Sequence, residues 1–230
     1  MASIAVVMAC MGVVVQMMTA TGLSSKISQF ALSIAGDNLI ILALVVALTC
    51  TLFGMGMPSA SAYILAALLG APALVSFGVP LVVAHFFVFY FAEMSALTPP
   101  VAIGCLVASG LANAKFLKTC VIALRLAIMG FVLPFLFLYR PALLLQGTAF
   151  EWFWAVLMVV CFLFCFIIVC EKYFRIQTTL AERIAAGVGA LCCIIPVYVM
   201  DFIGLALFLF LIVSQQRRVK REGLASRSQA

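Results

Sequence analysis

From Ala2 to Val213 the chain is a succession of apolar runs, fifteen to thirty-four residues long, separated by short polar segments. An α-helix rises about 1.5 Å per residue, so a run of about twenty residues matches the ~30 Å hydrocarbon core of a bilayer. Composition agrees: 67% of the 230 residues are apolar, only 20 are charged (13 basic plus 7 acidic), and the mean hydropathy is +1.34. A soluble domain carries about 25% charged residues, and no globule of this size has the interior to hide so much apolar surface. The backbone must satisfy its own hydrogen bonds in lipid, and these helix-forming runs predict an all-α, polytopic integral membrane protein rather than a barrel.

Charge placement excludes a nucleic-acid partner. The net charge is +6, but Arg217, Arg218, Lys220, Arg221 and Arg227 all fall in the last fourteen residues, and the other cations lie between apolar runs. That pattern orients a membrane protein. The nine cysteines lie within apolar segments without C-x-x-C spacing, and one histidine, His85, leaves no cluster for a transition metal. The thiols read as small packing residues. Val7-Met8-Ala9-Cys10 has no basic residue before it, so a first membrane helix is expected rather than a cleaved leader.

The runs organise the chain as follows. Residues 1–21 form a transmembrane helix and 22–36 an interfacial helix, with Ser24, Ser25, Lys26, Ser28 and Gln29 interleaved with apolar positions. Residues 37–113 contain a re-entrant helical hairpin (38–77), whose arms Asn38–Phe53 and Tyr63–Phe77 are both short, and a broken helix (80–113). Spans follow at 114–139 and 152–170, the latter within an extension over 140–213. The run 184–213 is expected to fold as a hairpin of two short arms turning at Pro196–Asp201, with Asp201 capping the second arm, and 214–230 as a basic cytoplasmic tail. That hairpin places ten loop and tail cations (115, 118, 172, 175, 183, 217, 218, 220, 221, 227) inside against two (26, 140) outside; a single span would put the tail outside.

The two breaks carry the functional signal. Gly54-Met55-Gly56-Met57-Pro58-Ser59 ends the first hairpin arm, and Ser95-Ala96-Leu97-Thr98-Pro99-Pro100 interrupts the long run. Proline has no N–H, so Pro58 should leave the Gly54 carbonyl without its helical partner, and Pro99 and Pro100 should do the same to Ser95 and Ala96. Gly54 and Gly56 allow a tight turn, while Ser59, Ser61, Ser95 and Thr98 add hydroxyls. Hard oxygens of this kind suit a small cation such as Na⁺. Half-helices starting at Ser59 and Thr98 would favour a carboxylate or phosphate at their N-termini. The plain alternative is that the prolines only kink packed helices.

Taken in order, Gly54–Tyr63, Ala71-Pro72-Ala73-Leu74, Gly78-Val79-Pro80, Ala84–Ala92 and Ser95–Ala102 resemble the fused permease of tripartite ATP-independent periplasmic (TRAP) transporters, nearest to the type paired with TAXI-class binding proteins. The resemblance is densest over 50–112 and extends to Pro196 and Asp201-Phe202-Ile203-Gly204. It implies an elevator-type importer in the bacterial inner membrane, driven by Na⁺ with no other cofactor, and fed an organic anion by a soluble periplasmic binding protein. It also implies cation sites at Gly54–Ser61 and Ser95–Pro100, with 22–36 as an arm. Such permeases hold two inverted repeats, and this chain carries only what resembles the C-terminal one. A missing N-terminal half, a separate polypeptide, or a truncated remnant are the resulting expectations.

Two ionisable residues stand apart. Glu93 lies two residues before Ser95, where the family pattern has a small apolar residue, and intramembrane carboxylates are suspects for coupling or substrate contact. His85 could carry a proton or simply be packed against a neighbouring helix. A membrane enzyme using both is disfavoured, because eight residues of helix set them about 80° and two turns apart. Phe86, Phe87, Phe89, Tyr90 and Phe91 read as helix surface towards lipid or scaffold. Trp152, Phe153 and Trp154 read as an interface belt. No nucleophile–base pair or nucleotide loop is present, so no enzyme is expected.

Overall fold

The computed structural model describes residues 2–171, 178–194 and 197–227. All regular structure among these residues is helical, and four helices are long and apolar enough to cross a membrane: Ser59–Ser76, Phe116–Tyr139, Ala149–Cys170 and Val199–Gln216. The chain divides into two compact units, residues 1–138 and 139–230.

In the first unit α1 (Ala2–Ala20) leads through Gly22 into α2 (Leu23–Ala35). Gly22 and Gly36 bracket α2 at φ +64° and +54°, a region that favours glycine. Of the polar residues of α2, Ser28 is buried and its Oγ donates to the Leu69 carbonyl at 3.3 Å, while Ser25 and Gln29 are exposed, as are Phe30 and Ile34. In lipid, small polar residues let helices approach and bond, as Ser28 does here.

Asn38 caps α3 (Leu39–Gly54), its Oδ1 accepting from the N–H groups of Ile40 and Ile41 at 2.9 and 3.3 Å. The second hairpin arm, α4 (Ser59–Ser76), begins four residues earlier than Tyr63 and is long enough to span. Pro58 sits just before its first turn, where a missing N–H costs nothing. At Gly70 an added Cβ would lie 2.7 Å from Val46 Cγ1 and 3.0 Å from Val88 Cγ1, so α4 wedges between α3 and α5 (Leu81–Met94). Phe87 and Phe91 are core residues rather than lipid-facing surface, with ring centroids 5.4 and 5.8 Å from Phe135; Phe86 and Phe89 stay exposed.

After α5 the long run breaks into a 3₁₀ turn (Ser95–Leu97) and resumes as α6 (Ile103–Leu111). The span expected at 114–139 is present as Phe116–Tyr139, interrupted at Ala127 between α7 (Phe116–Leu126) and α8 (Ile128–Tyr139). Pro134 cannot donate to Gly130, and the Gly130 N–H closes a tightened turn onto Ala127 at 2.8 Å.

The second unit holds a short 3₁₀ turn (Pro141–Leu144), α9 (Ala149–Glu171), α10 (Leu180–Ile194) and α11 (Tyr198–Arg227). Thr148-x-x-Glu151 and Thr179-x-x-Glu182 are reciprocal capping pairs: each Thr N–H donates to the Glu carboxylate at 2.9 and 3.0 Å. Helices α10 and α11 lie side by side, a Cβ at Gly204 reaching within 2.6 Å of Cys193 Sγ. The turn at Pro196 lies outside the described residues, as do Lys172 and Arg175. Helix α11 is not a short arm, since it runs through 214–227 into the basic segment.

Asp201 is not a cap either. Its backbone N–H already bonds the Val197 carbonyl at 3.0 Å, and its carboxylate takes both terminal nitrogens of Arg140 and the Trp154 indole N–H, the last at 2.8 Å. Arg140 and Asp201 are 6% and 2% exposed, so each charge depends on the other. Trp154 accordingly turns inward, while Trp152 and Phe153 stay exposed. Asp201→Ala should lower the stability of the protein by about 3–5 kcal/mol in detergent unfolding, because it strands a buried guanidinium. The double variant Arg140→Met/Asp201→Leu should lose much less.

Candidate ion and solute site at two helix breaks

Both breaks lie in the first unit, and the structure brings them into direct contact. Gly54 ends α3 against the 3₁₀ turn: a Cβ there would sit 2.8 Å from Ser95 Oγ, 3.1 Å from Ser95 Cβ and 3.2 Å from the Ala92 carbonyl oxygen. Only a residue without a side chain permits this approach. Gly56 turns the chain at φ +82°, and its Cβ position lies 3.4 Å from Val101 Cγ1, on the far side of the second break. Residues 54–56 therefore touch the second break over 92–101.

The backbone carbonyls are less free than the missing proline donors imply. The Met57 N–H donates to the Gly54 carbonyl at 3.4 Å and the Thr98 N–H to the Ser95 carbonyl at 3.2 Å. A chain leaving a helix tightens to i+3 bonding where i+4 is lost. Each carbonyl keeps a second lone pair, and the Gly54 contact is long. The Ala96 carbonyl turns towards α6, where a Cβ at Gly104 would meet it at 3.3 Å.

The hydroxyls sort into three states. Thr98 Oγ1 donates to the Met94 carbonyl at 2.9 Å, and Ser95 Oγ donates to the Ala92 carbonyl. Both keep lone pairs. Ser59 Oγ donates to Glu93 Oε2 at 2.8 Å, tying the start of α4 to the end of α5. Ser61 is fully buried and its Oγ has no partner. Glu93 Oε1 is likewise buried and unpartnered. Buried oxygens without partners are uncommon, each costing about 1–3 kcal/mol.

One half-helix start is displaced from expectation. Helix α6 begins at Ile103, not Thr98: Thr98 is extended (φ −92°, ψ 123°), as a residue before proline tends to be, and Pro99–Val101 turn the chain first. Ala102, fully buried at φ +37°, completes that turn. The start of α4, with Pro58 before it and Ser59 as its first residue, reaches the second break through the Ser59–Glu93 bond, and the first turn of α6 meets the Ala96 carbonyl at Gly104.

His85 is elsewhere. Its Nδ1 shares a hydrogen bond with Tyr63 Oη at 2.9 Å, and Phe89 packs edge-on against Tyr63 between it and the Glu93 end of α5. Glu93 and His85 thus have separate partners. Sequence reasoning missed Val101, Ala102 and Gly104 as parts of the junction; the glycine just past the Pro-Pro pair was the available signal.

Gly54→Ala should lower stability in detergent unfolding by about 1–3 kcal/mol. Adding Ser95→Gly should restore only part of the loss, since the Ala92 carbonyl is backbone and cannot rotate away.

Comparison with known families gives one match. The model of the tripartite ATP-independent periplasmic transporter, DctM component, covers residues 1–153, which include every residue of the junction. No curated protein and no solved structure matches the chain.

Proposed function

From the premise that this chain belongs to the DctM component family of tripartite ATP-independent periplasmic transporters, a family of transporter permeases rather than enzymes, we propose that it supplies one hairpin-and-break site of a Na⁺-coupled importer of an organic anion. Permeases of this family work with a periplasmic binding protein and a small permease, and we take the solute to be delivered by such a binding protein at the bacterial inner membrane. A second hairpin and break, from another polypeptide or another segment, would enclose the ligands from the opposite side.

One observation carries this reading: the contact of Gly54 with Ser95 joins two helix interruptions, and the elements that flank them hold two buried oxygens without partners, Ser61 Oγ on α4 and Glu93 Oε1 on α5. Oxygens in lipid that protein does not satisfy call for a ligand. A small cation suits hydroxyl, carbonyl and carboxylate oxygens, and the residues in named roles are Gly54, Ser59, Ser61, Ser95, Ala96 and Thr98. The start of α4, with its free N–H groups, suits the carboxylate of the solute. Coupling is then linkage, since a cation that orders this junction raises affinity for the anion by the same factor in either direction.

The test is uptake of radiolabelled small carboxylates into vesicles holding this chain with its permease partners, with and without an imposed Na⁺ gradient. Uptake should rise about tenfold with the gradient, and Ser59→Ala or Thr98→Ala should reduce that dependence several-fold. Uptake indifferent to Na⁺ would discard the coupling, and unchanged dependence in both variants would discard the site.

A further inference from the structure

Glu93 stands where an anionic solute would be drawn. The N–H groups of Ser59, Ala60 and Ser61 precede the first bond of α4, from the Ala62 N–H to the Pro58 carbonyl at 2.9 Å. Such a helix start favours negative charge. Here the Glu93 carboxylate is already beside it, held by the Ser59 hydroxyl at 2.8 Å. Among the described residues that is the one hydrogen bond the carboxylate receives, and Oε1 stays buried and bare. Ser61, in the same first turn of α4 and 0% exposed, also keeps an unpartnered Oγ.

Two consequences follow from elementary electrostatics. A carboxylate beside the start of α4 repels a second carboxylate approaching the same N–H groups. A buried carboxylate oxygen with no donor also costs free energy that a cation would recover. Loading the site with a cation therefore changes what the start of α4 can accept.

We propose that Glu93 is an electrostatic gate between the two ligands: without a cation its charge holds the start of α4 against anions, and a monovalent cation on Oε1 cancels that charge and admits the solute carboxylate. This rests on the reading that cation and anion share the junction, and it adds the residue that links them. It also separates two roles with opposite signatures. If Glu93 were only one more cation ligand, removing its charge would weaken both ligands. As a gate, removing its charge frees anion binding from the cation.

The experiment uses the full chain with its permease partners in lipid nanodiscs, with succinate and L-glutamate as anion probes, in NaCl or choline chloride at equal ionic strength. In the unaltered protein Na⁺ should strengthen carboxylate binding about tenfold. Glu93→Gln should bind the probes without Na⁺ about as well as the Na⁺-loaded parent does, with Na⁺ changing that by less than about twofold. Glu93→Asp, which keeps the charge, should retain the Na⁺ effect. A folded Glu93→Gln protein that keeps the full Na⁺ effect, or binds no probe, overturns the gate while leaving cation coupling in place. An unaltered protein whose probe binding ignores Na⁺ overturns the coupling reading itself, and the gate with it. Should Glu93→Gln not fold, infrared difference spectra of the ¹³C-glutamate-labelled parent decide the point. Adding Na⁺ should shift a carboxylate band, and a spectrum with no such shift overturns the gate.

Discussion

Inside a bilayer no water stands ready to bond a carbonyl or amide that a helix releases, so an interrupted helix persists only where something else supplies the bonds. In this protein that condition is met by pushing one interruption into another. The absence of a side chain at Gly54 lets the end of α3 come against Ser95 and the Ala92 carbonyl. The turn at Gly56 then brings Pro58 and the first turn of α4 around, and Ser59 reaches the carboxylate at the end of α5. Shortened i+3 bonds at Met57 and Thr98 take up part of the released backbone. What remains bare is side-chain oxygen at Ser61 and Glu93, which is where the chemistry of the site has to be sought.

The second unit solves the same problem by charge pairing. Arg140 and Asp201 are buried against each other, and the Trp154 indole N–H adds a third partner to the carboxylate. Glu182 is treated alike: it accepts from Thr179 N–H, Ser214 Oγ and Gln215 Nε2 at 3.0, 2.9 and 3.0 Å, and so ties α10 to α11. These networks lock helices in place. In the first unit Ser61 Oγ and Glu93 Oε1 are buried without partners.

Much of this was legible in the residues, for identifiable reasons. Proline within an apolar run is costly enough in lipid that it marks helix ends, and the interruptions fall at Pro58 and at Pro99-Pro100. Which residues bring the two together was not legible, because Gly54 and Ser95 meet through tertiary packing that no local pattern encodes. Thr98 looked like a helix start because its hydroxyl resembles a cap, yet the proline after it forces extended backbone and delays α6 to Ile103. The polar positions of 22–36 marked an amphipathic helix, but not that Ser28 alone among them would pack inward onto the Leu69 carbonyl. Asp201 looked like a cap from its neighbours in sequence, while its partner, Arg140, lies sixty-one positions away.

Helix α2 is tied to α4 by the hydrogen bond from Ser28 to the Leu69 carbonyl, and a glycine at positive φ, with nothing within 4 Å of its Cβ position, stands at each end. Were the hairpin to travel through the bilayer, α2 would be carried with it and the bending would fall on Gly22 and Gly36.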